Sequence, residues 1–265
     1  MARQFVTIPA TAPRLPPAID HRRHLKVTAA FGWLAAGWRD LWMQPGPSLV
    51  YGLGVAALSA LVICGMVWLG WDQVLFPALA GFLVVGPVLA TGLYEKSRRI
   101  EAGEPVTLGA MLAPHRGGGQ HLFYVGAVLM GLMLLWMRAA VLLYALFFGW
   151  RPFPGVDHLV QMLFTTPLGL SMLLTGTVVG GLFAGFAFAI SAFSIPMLLD
   201  RRLDAFSAMG ISISLVWNNL PALLVWGVIV LALTLVSLGT ALLGLIIIFP
   251  LLGHATWHAY AAVRE

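Results

Sequence analysis

Five stretches of this chain are too long and too apolar for a soluble core: 48–70, 74–94, 122–148, 168–198 and 220–262. About 20 mostly apolar residues cross a membrane as a helix. In hydrocarbon every backbone N–H and C=O must be satisfied internally, which a helix does within one segment. The chain is 60% hydrophobic and 9% charged over 265 residues, whereas a soluble domain carries roughly 25% charge. The excess apolar surface must face lipid. Stretch 220–262 is too long for one span, and Ser237-Leu238-Gly239-Thr240 is its one turn-like point. Splitting it there gives helices at about 220–238 and 240–262. The expected fold is all-α, a polytopic membrane helical bundle of about six transmembrane helices arranged as three hairpins. Stretch 168–198 is long enough that it must tilt or protrude. Asn218 and Asn219 followed by Pro221 make a cap-then-proline start for the fifth helix.

Upstream of the first span, residues 1–27 hold Pro9, Pro13, Pro16 and Pro17 among arginines, as an extended tail would. Residues 28–44 hold Trp33, Trp38 and Trp42 beside Arg39 and Asp40, a pattern suited to a helix lying at the membrane interface. The chain therefore divides into 1–46, a tail with an interfacial helix, and 47–265, the transmembrane domain. Lys and Arg counts set orientation. With the N-terminus inside, 13 of the 15 fall on the cytoplasmic side, Arg151 lies outside and Arg138 lies within a span. Both termini are thus expected in the cytoplasm. Basic residues spread through short loops are not a nucleic-acid surface, and the bilayer is the expected partner. The single Cys64 rules out an intrachain disulfide and a multi-cysteine metal site.

The chain also reads as three related units. Each has an interfacial lead-in (31–44, 107–120, 205–218), an entering helix and a returning helix. Each returning helix carries a proline near its cytoplasmic end: Pro87, Pro196 and Pro250. A polar cluster follows each one. Three stretches lie there: Gly92-Leu93-Tyr94-Glu95-Lys96-Ser97-Arg98-Arg99, Ser194-Ile195-Pro196-Met197-Leu198-Leu199-Asp200-Arg201 and Gly253-His254-Ala255-Thr256-Trp257-His258-Ala259-Tyr260. Together they resemble the DUF2189 family of bacterial integral membrane proteins of unknown function. The resemblance implies a membrane location and a bacterial origin, and no established activity. Some members carry the label cytochrome c oxidase subunit I. A haem-copper site needs histidines on different helices. Here only His254 and His258 fall firmly within a helix, and both are on one.

Several residues are candidates for chemistry. His254 and His258 are four apart and share one helix face. That spacing supplies two metal ligands, and a site needs at least a third. Counting from the prolines, Glu95 matches His258 and Asp200 matches His254. The four are expected to converge at one depth, as a zinc or iron site or as mutual hydrogen-bond partners. Arg138, inside a span, is expected to face protein or water. Asp72, Asp157 and freed carbonyls are its candidate partners, in a structural tie or in an anion or lipid-headgroup site. Gly176, Gly180, Gly181 and Gly185 form two small-xxx-small pairs suited to close helix packing. Gly117-Gly118-Gly119 lacks the residues of a phosphate loop. Three functions stay open. The first is a non-enzymatic accessory, assembly or scaffold protein of the inner membrane, serving a larger membrane complex such as a respiratory one, without cofactor. The second is a small transporter or lipid-handling protein using Arg138. The third is a metal- or haem-binding protein using His254 and His258.

Overall fold

The computed structural model describes residues 21–71, 74–113, 119–149 and 155–264, the side chains of Val156 and Asp157 excepted. Most of the proline-bearing tail, Asp72, Arg116, the first two glycines of the 117–119 run and Arg151 lie outside them. All regular structure in the described residues is helical: α1 (Ala29–Trp42), α2 (Pro45–Trp68), α3 (Leu75–Leu89), α4 (Thr91–Glu101), α5 (Leu108–Leu112), α6 (Gly119–Phe148), α7 (Val156–Thr165), α8 (Pro167–Asp200), α9 (Ala205–Asn218), α10 (Leu220–Gly239) and α11 (Leu245–Ala261).

Local chemistry marks most of the helix starts. Pro45 and Pro167 stand in the first turns of α2 and α8, where a missing N–H costs nothing. The Thr166 hydroxyl caps α8 by accepting from Gly169 N at 3.0 Å, and Asp204 caps α9 by accepting from Ser207 N at 2.9 Å. Asn219 begins α10 as expected, but its side chain does not cap. It accepts from Arg23 N and donates to the His21 and Leu215 carbonyls, tying the incoming N-terminal segment to α9. α3 and α4 are two halves of one long element broken at Ala90. The carbonyls opened there are taken by side chains: Val88 O by the Thr91 hydroxyl and Leu89 O by the Tyr51 hydroxyl, each at 2.6 Å.

Five helices among the described residues are long and apolar enough to cross a membrane: Pro45–Trp68, Leu75–Glu101, Gly119–Phe148, Pro167–Asp200 and Leu220–Gly239. Their outer faces are apolar, with Trp68, Leu146, Leu174 and Leu182 all exposed. The last apolar helix starts later than the sequence suggests. α11 has 17 residues, because 240–244 form a turn in which Ala241 and Leu242 take positive φ. The turn is tight enough that a Cβ on Gly244 would meet Ser237 Cα at 2.9 Å. The turn starts where the turn-like point at Ser237–Thr240 ends, and hydropathy does not show how far it runs because Ala241, Leu242 and Leu243 are as apolar as the helices beside them. α7 was not expected either. It is a short amphipathic helix that packs on the start of α8.

α11 is the hub, in contact with α1, α2, α4, α8 and α10. Glycines let these neighbours approach. A Cβ on Gly52 would lie 2.3 Å from the Ile246 carbonyl oxygen, and one on Gly37 would lie 2.6 Å from Ala255 N. The other half of the bundle is α3, α6, α7 and α8, where Trp136 packs on Phe183 and donates to Pro77 O at 3.0 Å. Each of the short helices α1, α5 and α9 lies against an element that carries or follows one of the three prolines: α1 on α11, α5 on α4 and α9 on α8.

The Gly52 contact is to backbone, which cannot swing aside. Gly52→Ala is expected to destabilise by about 1–3 kcal/mol, as overpacking does. Gly185, with open space around it, should accept alanine without loss. Thermal melting of both variants in detergent checks the pair.

Candidate functional site

The polar residues gather where the C-terminal ends of α4, α8 and α11 meet α1. The innermost part is a hydrogen-bonded chain with almost no contact with water. Lys96, Ser48 and His254 are 0% exposed, Ser97 1% and Asp40 5%. Lys96 Nζ donates to Gln44 O at 2.8 Å and to Ser48 Oγ at 2.7 Å. Ser48 Oγ lies 2.9 Å from His254 Nε2, and Ser97 Oγ lies 2.8 Å from His254 Nδ1. Ser97 also faces Asp40, whose Oδ2 lies 2.9 Å from His258 Nε2.

The ends of this chain set its direction. An ammonium only donates and a carboxylate only accepts. Ser48 accepts from Lys96 and so has its one proton for His254 Nε2. A neutral imidazole then carries its proton on Nδ1 and donates to Ser97. Asp40 accepts from His258 Nε2, with Ser97 beside it. Five segments are joined: α1, the turn at Gln44, α2, α4 and α11. Burial pushes the Asp40 carboxyl up, but the hydrogen bonds from His258 and Ser97 outweigh it and hold the group below the usual carboxylate range.

Two further clusters lie around this core. Glu95 accepts from Arg98 in a two-pronged pair at 2.8 and 2.9 Å and from Arg99 at 2.7 Å, while Arg98 also reaches Glu104 at 2.9 Å. Tyr260 donates to Asp200 at 2.7 Å, and Trp257 Nε1 donates to Glu101 at 3.0 Å. Arg264 pairs with Glu101 and lies over the Trp257 and Tyr260 rings. This last cluster joins α4, α8 and the end of α11.

The four residues matched by their spacing from the prolines thus sit at the same end of the bundle but in separate bonds. His254 is held by two serines and His258 by Asp40. Glu95 is held by arginines and Asp200 by Tyr260. Among the described residues no three His, Cys, Asp or Glu side chains are grouped to hold a metal ion. Asp40, Ser48, Lys96 and Ser97, which complete the histidine environment, were not singled out in the sequence. Lys96 beside the apolar end of its helix was the available signal, since a lysine there is either exposed or paired.

Arg138 lies elsewhere. Trp136, Ala140 and Leu143 turn one face of α6 inward to line a cavity. Position 138 falls on the opposite face, exposed among exposed Leu134, Leu135 and Leu142. It has no hydrogen-bond or ion-pair partner among the described residues. Asp72 and the Asp157 side chain are not among those residues. Of the four glycines, Gly180 packs closely, since a Cβ there would meet Trp136 at 2.8 Å; Gly176, Gly181 and Gly185 have open space.

Long apolar helices with an apolar exterior and polar residues collected at helix ends define a multi-pass α-helical membrane protein. Residues 75–200 match the family described as predicted integral membrane protein (DUF2189). Comparison with the curated proteins and with the solved structures finds no match. The matched segment contains the stretches at 92–99 and 194–200, while Gly253–Tyr260 lies beyond it.

His254→Ala strands two buried hydroxyls and opens a void beside them. A loss of at least about 2 kcal/mol is expected, measured by melting in detergent. Asp40 gives a pH signature. A carboxyl held low in the fold contributes stability that is complete above its unfolded value of about 3.9 and lost as pH falls through the folded value. The gap in melting temperature between wild type and Asp40→Asn should be constant near neutral pH and narrow below about pH 4. A gap that widens in acid would contradict the assigned direction of the chain.

Proposed function

We propose that the protein is a non-enzymatic accessory protein of the bacterial inner membrane, of the assembly or scaffold kind. In this reading the outer face of α6 docks on a transmembrane segment of a larger membrane complex. One observation carries it: Arg138 lies in mid-helix on an exposed apolar face. Ten residues separate it from the end of α6, which is about 15 Å at 1.5 Å per residue. Arginine near the centre of a span costs about 2.5–3.5 kcal/mol on insertion scales. A carboxylate within a neighbouring span offsets that cost, and the leucines around Arg138 supply apolar contact on either side. The occupant is therefore a membrane helix bearing an acidic residue.

The arrangement of the helices supports six crossings as three hairpins, with both termini in the cytoplasm. Arg23 bonds to Asn219 at the start of α10 and to Val263 O just past α11, at 2.9 Å each. α10 and α11 therefore leave from and return to one side. The charge distribution of the loops makes that side cytoplasmic. The recurring pairing of a short helix with an element that carries or follows one of the three prolines favours a threefold internal repeat.

The docking reading is tested by purifying the full chain from native membranes in mild detergent. Wild type is expected to bring down a larger membrane protein. Arg138→Leu is expected to release it at least tenfold while leaving the melting temperature unchanged or raised. An unchanged partner set in the variant overturns the reading. So does an unchanged partner set with reduced retention of anionic lipid, which would assign Arg138 to a headgroup instead.

A further inference from the structure

Between α3, α6, α7 and α8, with Leu231 of α10 at its edge, lies a cleft of about 560 Å³. That is within the roughly 300–1,000 Å³ range of small-molecule sites. We propose that it binds one acyl chain of a bilayer phospholipid.

The chemistry of the wall calls for a hydrocarbon occupant. The lining is almost entirely carbon, and the polar side-chain atoms of Trp136 and Thr177 in it are committed elsewhere. Trp136 Nε1 donates to Pro77 O at 3.0 Å, and the Thr177 hydroxyl donates to Leu173 O at 2.8 Å. A polar ligand would lose its hydration and gain little in return, whereas each buried methylene gains about 0.8 kcal/mol. The shape calls for a single chain. The α8 wall runs from Met172 to Ala184, about 18 Å at 1.5 Å per residue. A volume of about 560 Å³ spread over that length leaves a mean section of roughly 30 Å². That suits a chain rather than a fused ring.

The source follows from where the cleft opens. Phe76, Val141, Thr177 and Gly181 line it and are themselves exposed, on helices long and apolar enough to cross the membrane. An opening on such a surface meets acyl chains. The room inside is made by absent side chains: Gly176 and Gly181 line the cleft, and neither would meet an atom within 4 Å on gaining a Cβ. At one end α7 turns Leu159 and Leu163 into the cleft and leaves His158, Gln161 and Thr165 exposed. A headgroup emerging there meets polar side chains.

The test takes the full chain, reconstituted with phosphatidylethanolamine and phosphatidylglycerol, extracted in mild detergent and weighed by native mass spectrometry. Wild type is expected to retain one phospholipid. Gly176→Phe, which fills the cleft, should lower retention at least tenfold. Gly185→Phe, on the same helix but outside the lining, should leave it unchanged. Ala140→Phe, from the opposite wall, repeats the first variant if Gly176→Phe does not fold. Wild type labelled with a phospholipid carrying a photoreactive acyl chain should give adducts on 136–144 and 172–184. Equal retention in wild type and the filled variants, an isoprenoid quinone as the retained molecule, or adducts confined to outward faces would each overturn the proposal.

Discussion

The structure depends on holding α11 in the middle of its neighbours. Two kinds of interaction do this at different depths. Within the apolar part, glycine contacts bring backbones together, and the Gly52 approach to the Ile246 carbonyl is the tightest of these. At the polar end the chain from Lys96 through Ser48 and His254 to Ser97, with the His258–Asp40 bond beside it, links α11 to α1, α2 and α4. A hydrophobic driving force is weak between helices already in lipid, so close packing and hydrogen bonds must supply the specificity. A dry hydrogen-bonded chain that starts from a donor-only ammonium fits in one arrangement and penalises slippage by a turn.

This explains why ionisable groups are buried here at all. A lone lysine or aspartate in a dry site is costly, and removing one member of such a set leaves the rest uncompensated. With the Lys96 cation and the Asp40 anion in one polar cluster, the charges balance, and Ser48 has both a donor and an acceptor. The outer clusters repeat the same logic with arginine. Arg98 faces Glu95 in a planar pair, and Arg264 joins Glu101 while covering two aromatic rings. The result is a polar belt at one end of the bundle. The apolar cleft lies toward the opposite end, with Arg138 on the outer face of the same helix that forms part of its wall.

Much of the architecture was legible from the residues because lipid allows so few solutions. Apolar length gave α2, α6, α8 and α10 to within a few residues, the stretch expected at 74–94 covers α3 and part of α4 across the break at Ala90, and aromatic and charged residues together marked α1. The exceptions have physical causes. The 240–244 turn begins at the expected turn-like point, at Thr240, but runs on through Ala241, Leu242 and Leu243, so no change of composition marks where α11 starts. α7 is ten residues long, short enough to pass for a loop. Asn219 carried a capping signature, yet its side chain is drawn to Arg23 and His21, some 200 positions away in sequence.

The candidate site divides in the same way. That His254 and His258 share a helix face follows from a spacing of four, and the gathering of polar residues past Pro87, Pro196 and Pro250 follows from where spans must end. Those are local or solvent-imposed facts, and a sequence contains them. Which serine meets which imidazole nitrogen, whether Arg138 turns inward or outward, and where missing side chains add up to a cleft are set by helix rotation and by contacts between distant segments. The rotation of α6 about its axis is chosen by Trp136 packing on Gly180, and that choice puts position 138 on the outside. The sequence alone determined a multi-pass helical membrane protein with its polar residues at the helix ends. Only the tertiary structure decided which of those residues meet, because the bilayer constrains length and polarity but leaves rotation and pairing to side-chain packing.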